Sequence, residues 1–340
     1  MVTMEERKVD APRARQTDTM QAIVHERYGR PNVLELREVA KPTFEDDQVL
    51  VRVHAASVNP VEWYGVTGLI LARPGNGLRK PKFTGVGGDF AGRVEAVGKA
   101  VEDFQPGDEV YGTANGSWAE YAAAQEGRIA RKPANLSFEE AAAVPVAGLT
   151  ALQALRDHGQ IKPGQKVLIN GASGGVGTFA VQLAKHFGAE VTAVCSTRNV
   201  EQARSLGADR VVDYTQEDFT KRPERHDLML DIAGSRSFRD FRRALTPEAI
   251  VVLIGGRLTY RKLGPVPHLF GTLLASKGRS QTAKFFVAKI TSEDLTVLQG
   301  LLEAGTVKPV IDRRYELSQA PDALSYLGEG HARGKVVITV

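Results

Sequence analysis

From Met20 to about residue 125, apolar and polar residues alternate in short runs separated by turn residues. Alternation with a period of two is typical of strands that are buried on one face. Prolines and glycines between the runs, such as Pro42, Pro60 and the pair at 106–107, favour turns. The pattern predicts strands at 21–26, 33–39, 48–56, 92–97, 109–112 and 118–123. The first third of the chain is therefore predicted to form a barrel-like β domain.

After Pro145 the pattern changes to apolar strands, glycine-containing turns and amphipathic helices in alternation. Strands are predicted at 166–170, 191–195, 210–213, 227–232 and 249–254. A helix after the first strand carries its apolar residues as one stripe from Val176 to Phe187. Such βαβ units indicate a parallel sheet covered on both faces, so the fold class is α/β with a doubly wound domain.

The C-terminal segment contains predicted helices at 295–304 and 320–328, a short strand at 315–317 and an apolar run at 335–340. A strand at the end of a chain needs a pairing partner. We expect the last strand to pair with the first β domain or to complete a sheet edge.

The most informative motif is a glycine-rich loop between the strand 166–170 and the helix that follows it. Glycines there permit a tight turn, a close approach of backbone to a pyrophosphate, and a helix N-terminus directed at the negative charge. Ala172 takes the place of the first glycine of the fingerprint. The predicted cofactor-binding residues of the loop are Ala172, Ser173, Gly174, Gly175, Val176 and Gly177.

The end of the second strand indicates which dinucleotide is bound. An Asp or Glu about 20 residues past the glycines would hold the ribose 2′-hydroxyl of NAD, but this chain has Ser196, Thr197 and Arg198 there. With no carboxylate to repel it and a guanidinium to bind it, a 2′-phosphate is favoured. Tyr214, after the third strand, is a further candidate contact, or simply an exposed tyrosine. The predicted cofactor is NADP(H).

Composition and charge exclude several classes of protein. The single cysteine, Cys195, allows no internal disulfide and no cysteine-based zinc cluster. No apolar run reaches the roughly 18 to 20 residues of a spanning helix. Residues 1–19 mix both charges without an apolar core, so we expect a disordered tail and not a signal peptide. The net charge of +4 and the absence of a dense basic cluster argue against a nucleic-acid partner. These features favour a cytoplasmic protein.

Several motifs together resemble the medium-chain dehydrogenase/reductase superfamily, specifically its zinc-independent, zeta-crystallin-like quinone oxidoreductases. They occur in order along nearly the whole chain, at 57–64 (SVNPVEWY), 87–94 (GGDFAGRV), 104–110 (FQPGDEV), 117–121 (SWAEY), 144–152 (VPVAGLTAL), 171–177 (GASGGVG) and 333–338 (RGKVVI). The resemblance implies a GroES-like β-barrel domain at 20–144 plus 285–340 and a Rossmann NADP-binding domain at 145–284. It also implies an active site in the cleft between the domains and a homodimer.

The resemblance further implies which residues lie at the nicotinamide. Asn59 and Thr150 are expected to flank it, and Phe285 and Phe286 to reach the cofactor cleft, although core packing is an alternative for the phenylalanines. Ile254, Gly255 and Gly256 are expected to form the floor of the nicotinamide site.

Tyr64 and Asn59 are the predicted catalytic residues, because Tyr64 aligns with a family tyrosine that lines the substrate pocket. Tyr64 is expected to donate a hydrogen bond or proton to the acceptor oxygen; the alternatives are that solvent supplies the proton or that Tyr64 is only a wall of the cleft.

Zinc-dependent members carry a catalytic Cys, a His-Glu pair in the position of Gly88 and Asp89, and four clustered cysteines, and this chain has none of them. No metal site is therefore predicted. Without a Lewis acid, the expected reaction is hydride delivery from NADPH to a small electrophilic acceptor, either a quinone or an α,β-unsaturated ketone or aldehyde. Two alternatives remain open: an NADPH-binding regulatory, structural or RNA-binding protein with little turnover, and an enoyl-thioester reductase.

Overall fold

A computed structural model describes residues 19–69, 73–256, 258 and 263–340. Residues 1–18 of the predicted tail lie outside the described residues, whereas Thr19 already belongs to the first strand. The fifteen strands of the described residues are β1 (Thr19–Val24), β2 (Glu35–Ala40), β3 (Gln48–Val58), β4 (Asp89–Val97), β5 (Glu109–Thr113), β6 (Tyr121–Gln125), β7 (Ile129–Arg131), β8 (Lys166–Asn170), β9 (Glu190–Cys195), β10 (Arg210–Asp213), β11 (His226–Asp231), β12 (Leu245–Leu253), β13 (Thr282–Phe285), β14 (Ile311–Glu316) and β15 (Lys335–Thr339).

Ten α-helices accompany these strands within the same residues. They are α1 (Pro60–Thr67), α2 (Arg73–Asn76), α3 (Phe138–Ala142), α4 (Pro145–Gln153), α5 (Gly175–His186), α6 (Val200–Ser205), α7 (Phe238–Phe241), α8 (Val266–Ser276), α9 (Ser292–Glu303) and α10 (Ala320–Gly328). None of the helices in the described residues is long and apolar enough to cross a membrane.

The first β domain is built on a seven-stranded sheet in the order β14-β15-β3-β4-β5-β7, with β6 also paired to β3. Alternating residues of β3 and β4, among them Val49, Val51 and Phe90, are buried in one apolar cluster, as their period of two predicts. The last strand, β15, pairs antiparallel with β3, so that Val336 lies opposite Val58. The expected return of the C-terminus to the first domain is confirmed.

The second domain contains a parallel six-stranded sheet in the order β10-β9-β8-β11-β12-β13. The five strands predicted from the pattern are present. The sixth, β13, was not predicted, because its four residues TAKF contain no two apolar residues in succession. The chain runs outward from β8 to β10 and returns at β11, so the strand order reverses between β8 and β11. Ligands of open α/β sheets bind at the carboxyl ends of the strands at such a point.

Apolar residues of both sheets are buried in one continuous cluster, which includes Tyr111 and Val337 of the first domain and Ile169 and Phe179 of the second. The Tyr111 hydroxyl also donates a hydrogen bond of 2.6 Å to the carbonyl of Leu295, at the start of α9. This shared core fixes the two sheets against each other, and the loop that follows β8 lies beside β15 of the first domain, where Gly175 is next to Lys335.

Candidate cofactor and active site

The glycine-rich loop joins β8 to α5 by a tight turn that leaves no space for a side chain at position 177. A Cβ at this position would lie 2.2 Å from the carbonyl oxygen of Gly171, in the same turn. Gly171 itself has φ +98°, in the left-handed region that favours glycine. The tight turn and the close helix packing expected of a dinucleotide fingerprint are thus present.

Neither backbone conformation nor crowding by the described residues requires glycine at position 174, the N-cap of α5. Its backbone is extended (φ −81°, ψ 179°), and the nearest protein atom to an added Cβ, the carbonyl oxygen of Gly171, is 3.9 Å away. Among the residues described, no side chain forms a capping hydrogen bond to α5, so the first amide groups of the helix face the same space. This combination suits the pyrophosphate of a dinucleotide, which would approach the backbone where a side chain would obstruct it.

The predicted phosphate-binding residues at the end of β9 lie beside α6. Asn199 Nδ2 donates to the hydroxyl oxygens of Ser173, at 3.0 Å, and Ser196, at 3.1 Å. The Thr197 hydroxyl donates 2.6 Å to Asp213, because the parallel register aligns Asp213 with Cys195. A carboxylate therefore lies beside this position, contrary to the expectation from the sequence. The Thr197 bond lowers the pKa of Asp213 and keeps this carboxylate ionised at neutral pH.

Arg198 and Arg333 each donate hydrogen bonds to backbone carbonyls of the other's segment, although the sequence analysis selected only Arg198 as a phosphate-binding residue. Arg198 Nη2 donates 2.8 Å to the carbonyl of His331, while Arg333 donates to the carbonyl of Arg198 at 3.2 Å and to Asn199 Oδ1 at 2.9 Å. Tyr214 is exposed directly after β10, and its amide donates to the Cys195 carbonyl, so it lies next to Ser196. Asp312 lies at Arg333 as well, because its Oδ2 accepts from the Arg333 amide at 2.8 Å, so the described residues bring two guanidinium groups and the carboxylates of Asp213 and Asp312 to this edge.

The predicted nicotinamide floor lies at the end of β12 and is held by a buried aspartate from β11. Asp231 accepts hydrogen bonds from Asn170 Nδ2 at 2.8 Å and from the amide of Gly234 at 3.1 Å, and His268 Nε2 lies 2.8 Å from its other oxygen. The Ile254 amide donates to the Asp231 carbonyl, and a Cβ at Gly234 would lie 2.7 Å from Gly256 Cα. The segment of Ile254, Gly255 and Gly256 is thereby packed against the end of β11.

In the first domain, the Asp89 carboxylate has four hydrogen-bond or ion-pair donors around it, one of which comes from α4. Its Oδ2 accepts from Ser57 Oγ and Asn59 Nδ2, both at 2.9 Å, and lies 3.3 Å from Lys335 Nζ, while Oδ1 accepts from the Val146 amide at 3.1 Å. Lys335 also donates to Asn59 Oδ1. The pairing of β3 with both β4 and β15 brings these residues together.

This buried ion pair touches the glycine-rich loop. Lys335 is 3% exposed and Asp89 is fully buried, and a Cβ at Gly175 would lie 3.0 Å from Lys335 Cδ. Because both polar ends of the Asn59 side chain are bound to Asp89 and Lys335, this amide is held in a fixed orientation. The pair thus connects Asn59 of the first domain to the loop of the second.

Glu62 is a second buried acid in the same wall. Its Oε2 accepts 2.6 Å from the Asn59 amide, which closes the N-terminus of α1 as a capping box. Burial and, to a lesser degree, the neighbouring carboxylate of Asp89 raise the pKa of Glu62 to about 8. Glu62 is therefore mostly protonated at neutral pH, and the ion pair of this wall is the one between Lys335 Nζ and Asp89 Oδ2, which are 3.3 Å apart.

Tyr64 lies on α1 with its ring 3.4 Å from the Cβ position of Gly264, just before α8. Its hydroxyl has no hydrogen-bond partner among the residues that the structure describes. Burial raises its pKa to about 12, so the hydroxyl stays protonated through neutral pH. Thr150 is half-buried on α4, and its hydroxyl donates 2.6 Å to the Val146 carbonyl.

The two predicted phenylalanines differ in their surroundings. Phe286 stacks on His158 with ring centroids 4.1 Å apart and packs against the main core cluster. Phe285 ends β13 opposite Leu253 and is exposed. Packing accounts for Phe286, and only Phe285 presents an exposed ring near the end of β12.

The residues that the sequence analysis did not select share a common signal. Lys335, Asp231 and Asp89 are charged residues at the first or last position of a strand, each next to an apolar residue of that strand. Charged residues are almost never fully buried unless they are paired. Arg333 belongs to the motif at 333–338, which the sequence analysis used to identify the resemblance but not to select site residues. Across the described ranges 19–69, 73–256, 258 and 263–340, no group of three or more His, Cys, Asp or Glu side chains is arranged to hold a metal ion.

Comparison with known families and proteins gives a consistent result. Residues 45–134 match a family model described as alcohol dehydrogenase GroES-like domain, and residues 206–338 match one described as zinc-binding dehydrogenase. The chain is 39% identical to 2-methylene-furan-3-one reductase of Solanum lycopersicum over 334 residues, which cover 94% of this chain and 79% of that protein. It is 36% identical to the chloroplast envelope quinone oxidoreductase homolog of Arabidopsis thaliana over 336 residues, with 94% and 98% covered.

A solved structure shows the same architecture. The quinone oxidoreductase from Coxiella burnetii superposes with a TM-score of 0.83 at 32% identity, covering 95% of this chain and 99% of that one. The GroES-like domain and the Rossmann-type sheet expected from the sequence are confirmed.

Proposed function

The chain belongs to the medium-chain dehydrogenase/reductase superfamily, among its quinone and alkenal/one oxidoreductases, and we propose that it is a zinc-independent NADPH-dependent reductase of quinones or α,β-unsaturated ketones and aldehydes. Its coarser activity, that of an NAD(P)H-dependent oxidoreductase of this type, follows from the family. NADPH as the coenzyme, the acceptor and the site residues are the parts we propose.

The strongest support is the glycine-rich loop. The open space at Gly174 and the uncapped amides of α5 fit a pyrophosphate, and the guanidinium groups of Arg198 and Arg333 fit a 2′-phosphate. Ser196 and Tyr214 border the same position and are proposed to assist. When bound there, NADPH supplies a hydride to an electrophilic carbon.

A zinc-independent reaction is favoured by what surrounds Asp89. Its carboxylate is taken up by Ser57, Asn59 and Lys335, and the preceding Gly88 has no side chain, so neither residue is available as a metal ligand. The proposed acceptors need no metal to become electrophilic, because a quinone or an enone carries its own activating carbonyl groups.

Tyr64 is the proposed proton or hydrogen-bond donor to the acceptor oxygen. It is the one phenol that α1 directs at the segment before α8, and its raised pKa keeps the proton on the hydroxyl. Asn59, fixed by Asp89 and Lys335, and Thr150 are proposed to border the nicotinamide above Ile254, Gly255 and Gly256.

Steady-state oxidation of NADPH and of NADH tests the proposal with a naphthoquinone, a phenanthrenequinone, a straight-chain enal, a cyclic enone and an enoyl thioester. We expect turnover of a quinone or an enone with NADPH, at a kcat/KM at least about tenfold above that with NADH, which corresponds to about 1.4 kcal/mol. Turnover of the enoyl thioester alone would identify an enoyl-thioester reductase. Tight NADPH binding without turnover of any acceptor would identify a binding protein.

Tyr64→Phe tests the donor role, with Tyr121→Phe as the control on an outer strand. If Tyr64 donates the proton, kcat for an enone falls by about 10²-fold or more, while the KM for NADPH stays close to that of the wild type. An unchanged kcat would assign the proton to solvent.

We also propose a homodimer formed through the β13 edge. This strand ends the six-stranded sheet, and large apolar side chains are exposed on and near it, with Phe270 68% and Leu274 73% exposed on α8. Light scattering should give the mass of two chains for the wild type and of one chain for Phe270→Asp/Leu274→Asp. A monomeric wild type would contradict the dimer. The cytoplasmic location stays a prediction, since relatives are named as chloroplastic or mitochondrial.

A further inference from the structure

The segment 78–83 forms a surface loop of the first domain whose exposed side chains are cationic or apolar. Leu78 is 70% and Phe83 64% exposed, and Arg79, Lys80 and Lys82 between them are exposed as well. The sequence contains no acidic residue between Glu62 and Asp89. Two large apolar side chains therefore flank three cations within six residues.

The loop is tied firmly to the fold at its base. The Tyr28 hydroxyl donates 2.6 Å to the Gly77 carbonyl, the Arg73 guanidinium lies 4.7 Å over the Tyr28 ring, and the Lys82 amide donates 2.7 Å to the Asn76 carbonyl. Gly77, with φ +108°, makes the turn. The exposure of Leu78 and Phe83 is thus built into a held loop and does not depend on a free end of the chain.

The positive charge of the loop is not neutralised by its surroundings. Arg79, Lys80 and Lys82 form no ion pair with any residue that the structure describes. The neighbouring segment that carries Tyr28 adds exposed Arg27, and its one acid, Glu26, is paired with Arg37 at 2.8 Å. The surface next to the loop therefore adds cationic charge.

We propose that this loop docks the protein on an anionic lipid bilayer. A polar surface such as a nucleic acid would take the cations but would leave Leu78 in water, whereas the interface of a bilayer accepts both groups: basic side chains at the anionic headgroups and apolar side chains below them. Charge complementarity and the two apolar tips together favour the lipid surface.

The location of the loop gives docking a consequence for the cleft. The loop is joined through Tyr28 to Gly68 at the end of α1, where a Cβ would lie 2.7 Å from Tyr28 Cγ, and α1 carries Tyr64. Leu69, the next residue, lies against the Gly264 position that also contacts Tyr64. Docking would bring this end of α1 towards the membrane. The proposal does not depend on which acceptor is reduced, because vesicle binding is measured without one.

Co-sedimentation of the purified full chain with vesicles tests the proposal, using phosphatidylcholine alone and phosphatidylcholine with about 30% phosphatidylserine at about 0.1 M salt. We expect binding to the anionic vesicles only, and release at about 0.5 M salt because the charges are then screened. A basic residue at an anionic surface contributes about fivefold in affinity, so Lys80→Glu/Lys82→Glu should bind at least about 25-fold more weakly.

Matched variants separate this loop from overall charge and hydrophobicity. Lys99→Glu/Lys221→Glu changes the net charge equally at other exposed sites and should retain most of the binding, and Phe83→Ser should weaken binding at least threefold more than Val297→Ser. Circular dichroism and NADPH oxidation with a water-soluble acceptor, both unchanged in these variants, establish that they fold. Absence of binding to anionic vesicles, equal losses in the control variants, or loop-dependent binding to a short duplex RNA in place of vesicles would overturn the proposal.

Discussion

Replacing Gly174 by Ala separates the needs of the cofactor from those of the fold. The backbone at Gly174 suits any residue, and the nearest protein atom to the new Cβ is 3.9 Å away. Alanine is a poorer N-cap than glycine by several tenths of a kcal/mol, but it also reduces the freedom of the unfolded chain by about 0.4 to 1 kcal/mol. The free energy of unfolding should therefore change by less than about 1 kcal/mol.

The cofactor should respond differently to the same methyl group. If the pyrophosphate packs against Gly174, the added Cβ occupies its space, and overpacking costs about 1 to 3 kcal/mol. The Kd for NADPH should then rise by about 5- to 150-fold, measured by calorimetric titration. Urea unfolding of the same preparation measures the stability.

Gly177→Ala is the matched control within the same loop. There the Cβ would lie 2.2 Å from the Gly171 carbonyl oxygen and 2.6 Å from the Ala172 carbonyl carbon, which are backbone atoms that cannot turn aside. This variant should lose about 1 to 3 kcal/mol of stability or more. Wild-type affinity for NADPH in a well-folded Gly174→Ala protein would refute the assignment of the loop.

Three further substitutions test other parts of the site. Arg198→Ala should raise the KM for NADPH by about 10- to 150-fold, because a charged hydrogen bond worth about 1.5 to 3 kcal/mol is lost. The KM for NADH should rise by less than about threefold. An unchanged ratio of the two KM values would mean that Arg198 does not select the coenzyme. Lys335→Met should lower the free energy of unfolding, measured in urea, by about 3 to 5 kcal/mol, because Asp89 is left as an uncompensated buried charge. The control Lys99→Met should change it by less than about 0.5 kcal/mol. Equal effects of the two substitutions would contradict the buried ion pair. Burial raises the pKa of Glu62 to about 8, so the folded protein keeps a proton that the unfolded chain releases above about pH 4.3. The free energy of unfolding of the wild type should therefore fall as pH rises from about 5 to 8, and Glu62→Gln should flatten this dependence. Parallel pH profiles for the two proteins would mean that a group other than Glu62 causes the dependence.

Five of the six strands of the second domain could be predicted from the sequence, because each of the five combines an apolar run with a following turn. The structure has β8 and β10 with the predicted bounds, and α10 likewise. The strand predicted at 249–254 begins four residues earlier in the structure, because the first residues of β12, Leu245 to Glu248, include polar residues and a proline that hide the strand pattern. The division of the chain at residues 145 and 285 stays a prediction.

The contacts of the site were beyond the sequence for a different reason. Lys335 and Asp89 are separated by 246 positions and meet only because β3 pairs with both of their strands. Asp213 was correctly placed at the end of a strand, but nothing in the pattern gives the register that brings it to Thr197. Motifs identify which residues carry chemistry, whereas sheet register decides which of them touch.

The most direct test of the proposed reaction follows the hydride itself. Wild-type protein would reduce a cyclic enone with NADPH deuterated at C4 of the nicotinamide, in separate reactions for the two faces of the ring, in ordinary water. The account predicts that one of the two coenzymes transfers its deuterium to the β-carbon of the saturated ketone, seen by NMR, while the α-carbon takes a proton from the protein or solvent. Deuterium at the carbonyl carbon of an allylic alcohol, or saturated ketone formed without deuterium from either coenzyme, would contradict it.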